Sequence, residues 1–128
     1  MPTTSAARGE LTRGAPPGAS AAAGLAGGGG LLLLYVASAA PGVTFWDAGE
    51  FATAFATLGV PHPPGTPLLV LLGRVWTWAL GLGGVSVAHA GALLAAVCTA
   101  LVGGTAAAWL ARRTGSVAAG VAGAWCAG

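Results

Sequence analysis

Two long apolar stretches and two shorter ones alternate with more polar segments along the 128-residue chain. Residues 19–41 and 85–110 carry no charged side chain, and each exceeds the roughly 20 residues that cross a hydrocarbon core of about 30 Å. Residues 116–128 are a further apolar stretch that begins a third span but is too short to complete a crossing. The pattern predicts an all-α integral membrane protein with two full transmembrane helices and the start of a third. We expect the chain to be the N-terminal part of a longer multi-spanning protein.

The first apolar stretch allows two interpretations. Four consecutive glycines, Gly27–Gly30, weaken it as a helix, because Gly costs about 1 kcal/mol relative to Ala. The arginine-bearing segment before it and the Ala37-Ser38-Ala39 sequence at its end also resemble a secretory signal peptide, which would be cleaved. Both interpretations place residues 42–67 on the outer side of the membrane.

Within the outer loop of residues 42–84, a short helix is predicted over residues 44–59. Asp47 can cap its N-terminus, with Glu50 three residues later in an acidic version of the capping box. Gly59 is the expected C-cap. An apolar face is formed by residues spaced four and three apart, which are Phe51, Phe55 and Leu58. The helix is too short and too polar to span, so we expect it to lie along the membrane interface.

A second interfacial helix is predicted over residues 68–80. The preceding segment, residues 60–67, contains four prolines and favours stiff extended structure. The apolar stretch that follows is only about 13 residues long, has Arg74 in its middle and carries two tryptophans, which favour membrane interfaces. Gly81–Gly84 should end the helix.

Composition and charge support the membrane assignment and give it a direction. Hydrophobic residues make up 55% of the chain and charged residues 6%, against about 25% charged residues in soluble domains; the mean hydropathy is +0.80. A net charge of +2 is too small to favour nucleic acid. Arginines cluster near both ends, at Arg8 and Arg13 and at Arg112 and Arg113, and the positive-inside rule places them in the cytoplasm. Residues 1–18 lack apolar periodicity and are predicted to form a disordered cytoplasmic tail. The Ala- and Gly-rich composition suggests that the membrane is a bacterial inner (cell) membrane.

Nearly all the polar groups suited to chemistry lie in the outer loop. Asp47 and Glu50 are three residues apart, on one side of a helical turn, and could supply a general base or oxygen ligands to a divalent cation. His62 could hydrogen-bond a phosphate or a sugar, and the Arg74 guanidinium suits a phosphate. The candidate substrate-binding residues are therefore His62, Arg74 and Trp46.

Each of these residues also has a purely structural interpretation. The two carboxylates could serve only as a capping box, His62 could be a loop histidine exposed to lipid headgroups, and Arg74 could extend toward lipid phosphates. We expect His89 to be an interfacial or packing residue. Two thiols without metal-ligand spacing, Cys98 and Cys126, are expected to pack in apolar surroundings without forming a disulfide.

The order of the loop residues resembles the first outer loop of a glycosyltransferase family. The strings are Phe45-Trp46-Asp47-Ala48-Gly49-Glu50-Phe51, then Leu58-Gly59-Val60-Pro61-His62-Pro63-Pro64-Gly65-Thr66-Pro67-Leu68, then Leu72-Gly73-Arg74. At this spacing they are similar to the protein O-mannosyltransferase-like group of the GT-C superfamily, a group known mostly as a domain of unknown function. The resemblance extends over roughly residues 43–113.

The resemblance implies an enzyme that transfers a sugar from a polyprenyl-phosphate donor to an acceptor hydroxyl on the outer membrane face. Asp47 matches the essential aspartate of the family's first outer loop. In that family, this aspartate is followed by two helices that lie along the membrane. Glu50 would support Asp47 or a divalent ion, and Arg74 with His62 would steady the departing lipid phosphate. Members of the family have many more spans, so the fragment alone is expected to be inactive.

Two other function classes are compatible with the pattern. A transporter or flippase would use the acidic pair to bind a coupling ion, but it also needs polar groups inside its spans, and residues 19–40 and 85–110 have almost none. A small structural membrane subunit would tolerate alanine substitution throughout the polar loop.

Overall fold

The computed structural model describes residues 14–44, 46–63 and 65–128. These parts of the chain form five α-helices and no β-strand, which confirms the all-α class. The helices are α1 (Pro17–Ser38), α2 (Ala48–Thr57), α3 (Pro67–Gly81), α4 (Val87–Thr114) and α5 (Val117–Ala127). The predicted tail over residues 1–18 lies mostly outside the described residues, and its last two residues belong to α1.

Two helices, α1 and α4, are long and apolar enough to cross a membrane, in agreement with the two predicted spans. At about 1.5 Å per residue, the 15 residues of α3 and the 11 residues of α5 are too short to cross a core of about 30 Å. The interfacial position of α2 and α3, and a third span that includes α5, therefore stay predictions. The α4 helix continues past the predicted end at residue 110 to Thr114, because arginine ends an apolar stretch without ending a helix.

The described residues form two compact units, one of residues 14–34 with 97–128 and one of residues 35–96. In the first unit, α1 packs closely on α4 through small residues. A Cβ atom on Gly28 would lie 2.6 Å from the Ala100 carbonyl oxygen and 3.0 Å from the Gly104 Cα. Gly28, one of the four glycines that weaken α1 as an isolated helix, thus allows its backbone to approach a neighbour, and α1 continues through all four without a break.

In the second unit, α2 packs on α3, and the ring of Phe55 lies against Gly73. The Trp76 indole donates a hydrogen bond of 2.8 Å to the Ala90 carbonyl of α4. His89 is half-buried, and its Nδ1 lies 2.8 Å from the Ala40 carbonyl oxygen. This is consistent with the predicted packing role of His89. These bonds connect α3 and the residues just before the outer loop to the start of α4.

Several local predictions were wrong. The C-cap of α2 is Leu58 in a left-handed conformation and not Gly59, and the Leu58 side chain is exposed and lies off the packed face. Both Cys98 and Cys126 are free thiols, as expected, but they lie on exposed helix faces instead of packing. Apolar periodicity in the sequence does not show which side of a uniformly apolar helix faces its neighbours.

Candidate functional site

Three of the candidate residues come together at the start of α2. Asp47 is the N-cap of the helix, Glu50 lies in its first turn, and His62 belongs to the proline-rich segment that follows it. One side-chain ligand atom of each residue lies within 4.8 Å of the other two, and all three residues are exposed. The fold therefore joins the acidic pair with an imidazole 12 positions further along the chain than Glu50.

The Glu50 carboxylate holds His62 at two points. Its Oε1 atom accepts a hydrogen bond from the His62 backbone N–H, and its Oε2 atom lies 2.9 Å from His62 Nδ1. The edge of the imidazole ring also contacts Phe51, with ring centroids 6.0 Å apart and planes inclined at 82°. The proline-rich segment is thereby fixed to the first turn of α2.

The predicted capping box is wrong, although Asp47 does stand at the N-cap position. The Asp47 side chain accepts no capping hydrogen bond, since its backbone is at φ −76° and ψ 1° and not in the extended conformation of a usual N-cap. Glu50 cannot reach back to complete the box, because both of its carboxylate oxygens bond to His62. The Asp47 carboxylate is thus left available to other groups.

The contact shifts the titration of both partners. Hydrogen bonds from the His62 ring and backbone, with a smaller contribution from its charge, lower the pKa of Glu50 below 4.5. The Glu50 hydrogen bond and charge, and then the charge of Asp47, raise the pKa of His62 above 6.5. Each partner therefore favours the charged form of the other.

Trp46 and Arg74 lie outside this three-residue cluster. The indole of Trp46 is 89% exposed, and its backbone is in the left-handed region at φ 64°, which is uncommon for a bulky residue. The Arg74 guanidinium donates a hydrogen bond of 2.7 Å to the Ala56 carbonyl. Ala56 is nine residues beyond Asp47, or about 14 Å along the helix axis, so Arg74 is bonded at the opposite end of α2.

A small pocket of about 290 Å³ lies between α2 and the proline-rich segment. Glu50, Thr53, Thr57 and Pro61 are among its lining residues, and its volume is at the small end of ligand pockets, which begin at about 300 Å³. The two threonines were not among the candidate residues predicted from the sequence. Their hydroxyls donate to helix carbonyls at 2.8 Å and can still accept a hydrogen bond. Their spacing in the sequence could have indicated them, because threonines four residues apart share one helix face.

A divalent cation would find two carboxylates and one imidazole in the cluster, a mixed donor set that suits a transition metal better than Mg²⁺ or Ca²⁺. The sequence predicted only the two carboxylates as ligands. Both Glu50 oxygens bond to His62, so a cation bound by Glu50 would compete with this pair.

Comparison with known proteins gives one family match. The family model described as protein O-mannosyl-transferase TMEM260 N-terminal domain matches residues 47–124. This range begins at Asp47 and includes α2 to α4 and most of α5. A search of the curated proteins and a search of the solved structures gave no match.

Proposed function

The chain belongs to the family of the protein O-mannosyl-transferase TMEM260 N-terminal domain, and from this premise we propose that it forms part of a membrane glycosyltransferase. The full-length protein transfers a sugar from a polyprenyl-phosphate donor to an acceptor hydroxyl on the outer membrane face. The observation that carries this proposal is the exposed Asp47 carboxylate, which accepts no capping hydrogen bond and lies beside the Glu50–His62 pair.

Asp47 contacts the acceptor hydroxyl and either orients it or takes its proton. Attack on the sugar carbon requires a hydroxyl that loses its proton as the new bond forms, and a positioned base accelerates such a step by about 10²–10⁴. Glu50 holds His62 close to this point. Thr53 and Thr57 give the adjoining pocket hydroxyl groups that can accept hydrogen bonds from a sugar.

The donor lipid explains why the site belongs in an outer loop between two spans. The isoprenoid tail stays in the membrane beside helices such as α1 and α4, while the phosphate and sugar reach the interface. Arg74 keeps N–H groups beyond its bond to Ala56, and within the described residues no carboxylate lies within ion-pair distance of it. It is therefore suited to the lipid phosphate. The exposed Trp46 indole adds an amphipathic side chain of the kind that favours membrane interfaces.

The positions of the charges support the proposed orientation. With Arg112 and Arg113 in the cytoplasm and two crossings before them, the loop that carries Asp47 faces outward. In a bacterium this is the outer face of the inner membrane. In the first unit, Arg112 donates a hydrogen bond of 3.1 Å to Ser20 near the start of α1, which supports an antiparallel pair with the start of α1 and the end of α4 on one side.

A transporter is a weaker candidate. Neither α1 nor α4 carries an acidic side chain, whereas coupled transporters bind their ions near the middle of the membrane. The three clustered polar residues lie in the outer loop, where a lipid-linked sugar would be reached.

The proposal is tested with the full-length gene product in liposomes. Polyprenyl-phosphate mannose is the first donor to test, given the mannosyl transfer in the family's description, with extracellular proteins of the source cell as acceptors. We expect release of polyprenyl phosphate together with labelled protein, and no label from a nucleotide-linked mannose. Label taken directly from the nucleotide sugar would contradict the lipid-phosphate donor.

A further inference from the structure

The Glu50–His62 pair has a chemical consequence beyond fixing the loop. Resting on the proposed function, we propose that His62 accepts the proton of the acceptor hydroxyl that Asp47 orients, and that Glu50 is the positioning residue that directs the His62 Nε2 atom to this task.

The hydrogen bonds determine which ring nitrogen is available. An ionised carboxylate only accepts hydrogen bonds, so the neutral imidazole must carry its proton on Nδ1 to bond to Glu50 Oε2. The lone pair is then on Nε2. The bond from the His62 backbone N–H to the other carboxylate oxygen fixes the residue as well as the ring. Glu50 thus selects one tautomer and one orientation, as the carboxylate of a catalytic triad does.

The Nε2 atom is accessible to a substrate. The His62 side chain is 53% exposed, and no described residue hydrogen-bonds to Nε2. Its neighbour Pro61 lines the 290 Å³ pocket with Glu50, Thr53 and Thr57. A sugar or acceptor group in this pocket would lie next to the imidazole.

The surrounding charges favour an imidazole that gains a proton. The charged groups facing His62 are Glu50 in α2 and Asp47 at its N-cap, both anionic, and the Phe51 ring contacts the imidazole edge. Arg74, the charged residue of α3, bonds to Ala56 at the other end of α2. The two carboxylates stabilise the imidazolium, and an imidazole binds a proton more tightly than a carboxylate does in water.

Two bonds break and two bonds form in the proposed step. The O–H bond of the acceptor breaks, and its proton passes to Nε2, which forms an imidazolium held by Glu50. The oxygen forms a bond to the anomeric carbon as the bond from that carbon to the phosphate oxygen breaks, and the phosphate keeps the electron pair. His62 then returns the proton to water.

The positioning is tested without activity, by following the ring nitrogens of the two histidines by ¹⁵N NMR in micelles of this chain. His62 should be the Nδ1–H tautomer when neutral, and it should titrate above pH 6.5. Glu50→Gln should move this titration to lower pH by more than Asp47→Asn does, since the Glu50 contact is the larger cause. His89, which bonds to Ala40, is the internal control and should not respond. An Nε2–H tautomer, or a His62 titration unmoved in Glu50→Gln, would overturn the positioning.

The proton transfer is tested by the pH dependence of kcat/KM for the full-length protein. Wild-type activity should rise with pH through the His62 titration. His62→Gln should lose about 10²–10⁴ in rate together with this rise. Glu50→Gln should move the rise to lower pH, and Asp47→Asn should lower the rate while keeping the rise. An unchanged rise in His62→Gln would overturn the proton transfer while leaving the proposed function intact. A wild-type protein without transfer from any polyprenyl donor would contradict both the function and the proton transfer, while the NMR result would still decide the role of Glu50.

Discussion

The ring of Phe55 in α2 lies against the backbone of Gly73 in α3, so closely that a Cβ atom at residue 73 would overlap it. Phe55 is almost fully buried, and its ring also comes within 3.5 Å of a Cβ position built on Gly91 of α4. Glycine at residue 73 therefore lets the two short helices of the outer loop meet. Since Asp47 and Glu50 belong to the other end of α2, this contact also positions the candidate site.

We predict that Gly73→Ala destabilises this contact by about 1–3 kcal/mol, the usual cost of overpacking. Gly81→Ala is the matched control in the same helix, because nothing lies within 4 Å of a Cβ atom there. Thermal unfolding in detergent, together with hydrogen exchange of the α2 amides, measures the difference. Equal stability of the two variants would show that α2 and α3 do not pack as described.

A second pair of glycines tests the contact between α1 and α4. Gly28→Ala would place a methyl group 2.6 Å from the Ala100 carbonyl oxygen, whereas Gly29→Ala meets nothing within 4 Å. We expect Gly28→Ala to lower the melting temperature. Gly29→Ala should leave it unchanged or raise it, since Ala favours a helix by about 1 kcal/mol over Gly. A lower melting temperature for Gly29→Ala than for Gly28→Ala would contradict the described packing.

The contact between Glu50 and His62 should depend on pH. The lowered pKa of Glu50 gives a stabilisation that is present above pH 4.5 and is lost as the pH falls through the lowered value. The raised pKa of His62 gives a second stabilisation of the contact, which is fully present below pH 6.5 and is lost as the pH rises through the raised pKa. The contact is therefore strongest between these two limits.

Hydrogen exchange of the His62 amide, which donates to Glu50, measures this dependence once exchange rates are corrected for an unstructured peptide at the same pH. Protection should be greatest between pH 4.5 and 6.5. At higher pH it should fall only in part, because neutral His62 still donates from Nδ1. In Glu50→Gln the profile should be flat. Protection that increases steadily above pH 6.5 would contradict the ion pair.

The sequence predicted the helical class and the two long helices because these depend on local composition. Residues 85–110 are uncharged and mostly apolar, and a helix pairs all the backbone polar groups of such a stretch within the segment itself. The end of α4 at Thr114 was missed, since hydropathy marks where apolar residues stop and not where hydrogen bonding stops. The described residues from 60 to 66 are non-helical, as the prolines predicted, whereas Pro67, the last residue of the predicted segment, begins α3.

The side-chain partners in the site could not be read from local spacing. Asp47 and Glu50 have capping-box spacing, but Glu50 bonds instead to His62, 12 positions away. That contact depends on how the chain turns at Leu58, a left-handed residue that the sequence gives no reason to expect in place of Gly59. Arg74 was predicted to belong to the site because a guanidinium suits a phosphate. Its bond to Ala56 depends on the packing of α3 on α2, which the spacing of residues does not show.

Membrane orientation can be tested with single cysteines. After Cys98→Ser and Cys126→Ser, which change only exposed positions, Thr66→Cys should react with an impermeant thiol reagent from outside the cell. Thr114→Cys, next to Arg113, should react only after the membrane is opened. Labelling of both cysteines from the same side would rule out two crossings with an outer loop between them.

The central claim, that Asp47 serves sugar transfer, is tested most directly by Asp47→Asn in the full-length protein, with sugar transfer and thermal unfolding measured on the same preparation. Asn is similar in size and is also a good N-cap residue, and the Asp47 side chain accepts no capping hydrogen bond, so the melting temperature should not change. Transfer from the polyprenyl-phosphate sugar should fall by at least about 10²-fold, because a group that orients or deprotonates the acceptor is lost. Near-normal transfer by a stably folded Asp47→Asn protein would contradict the claim.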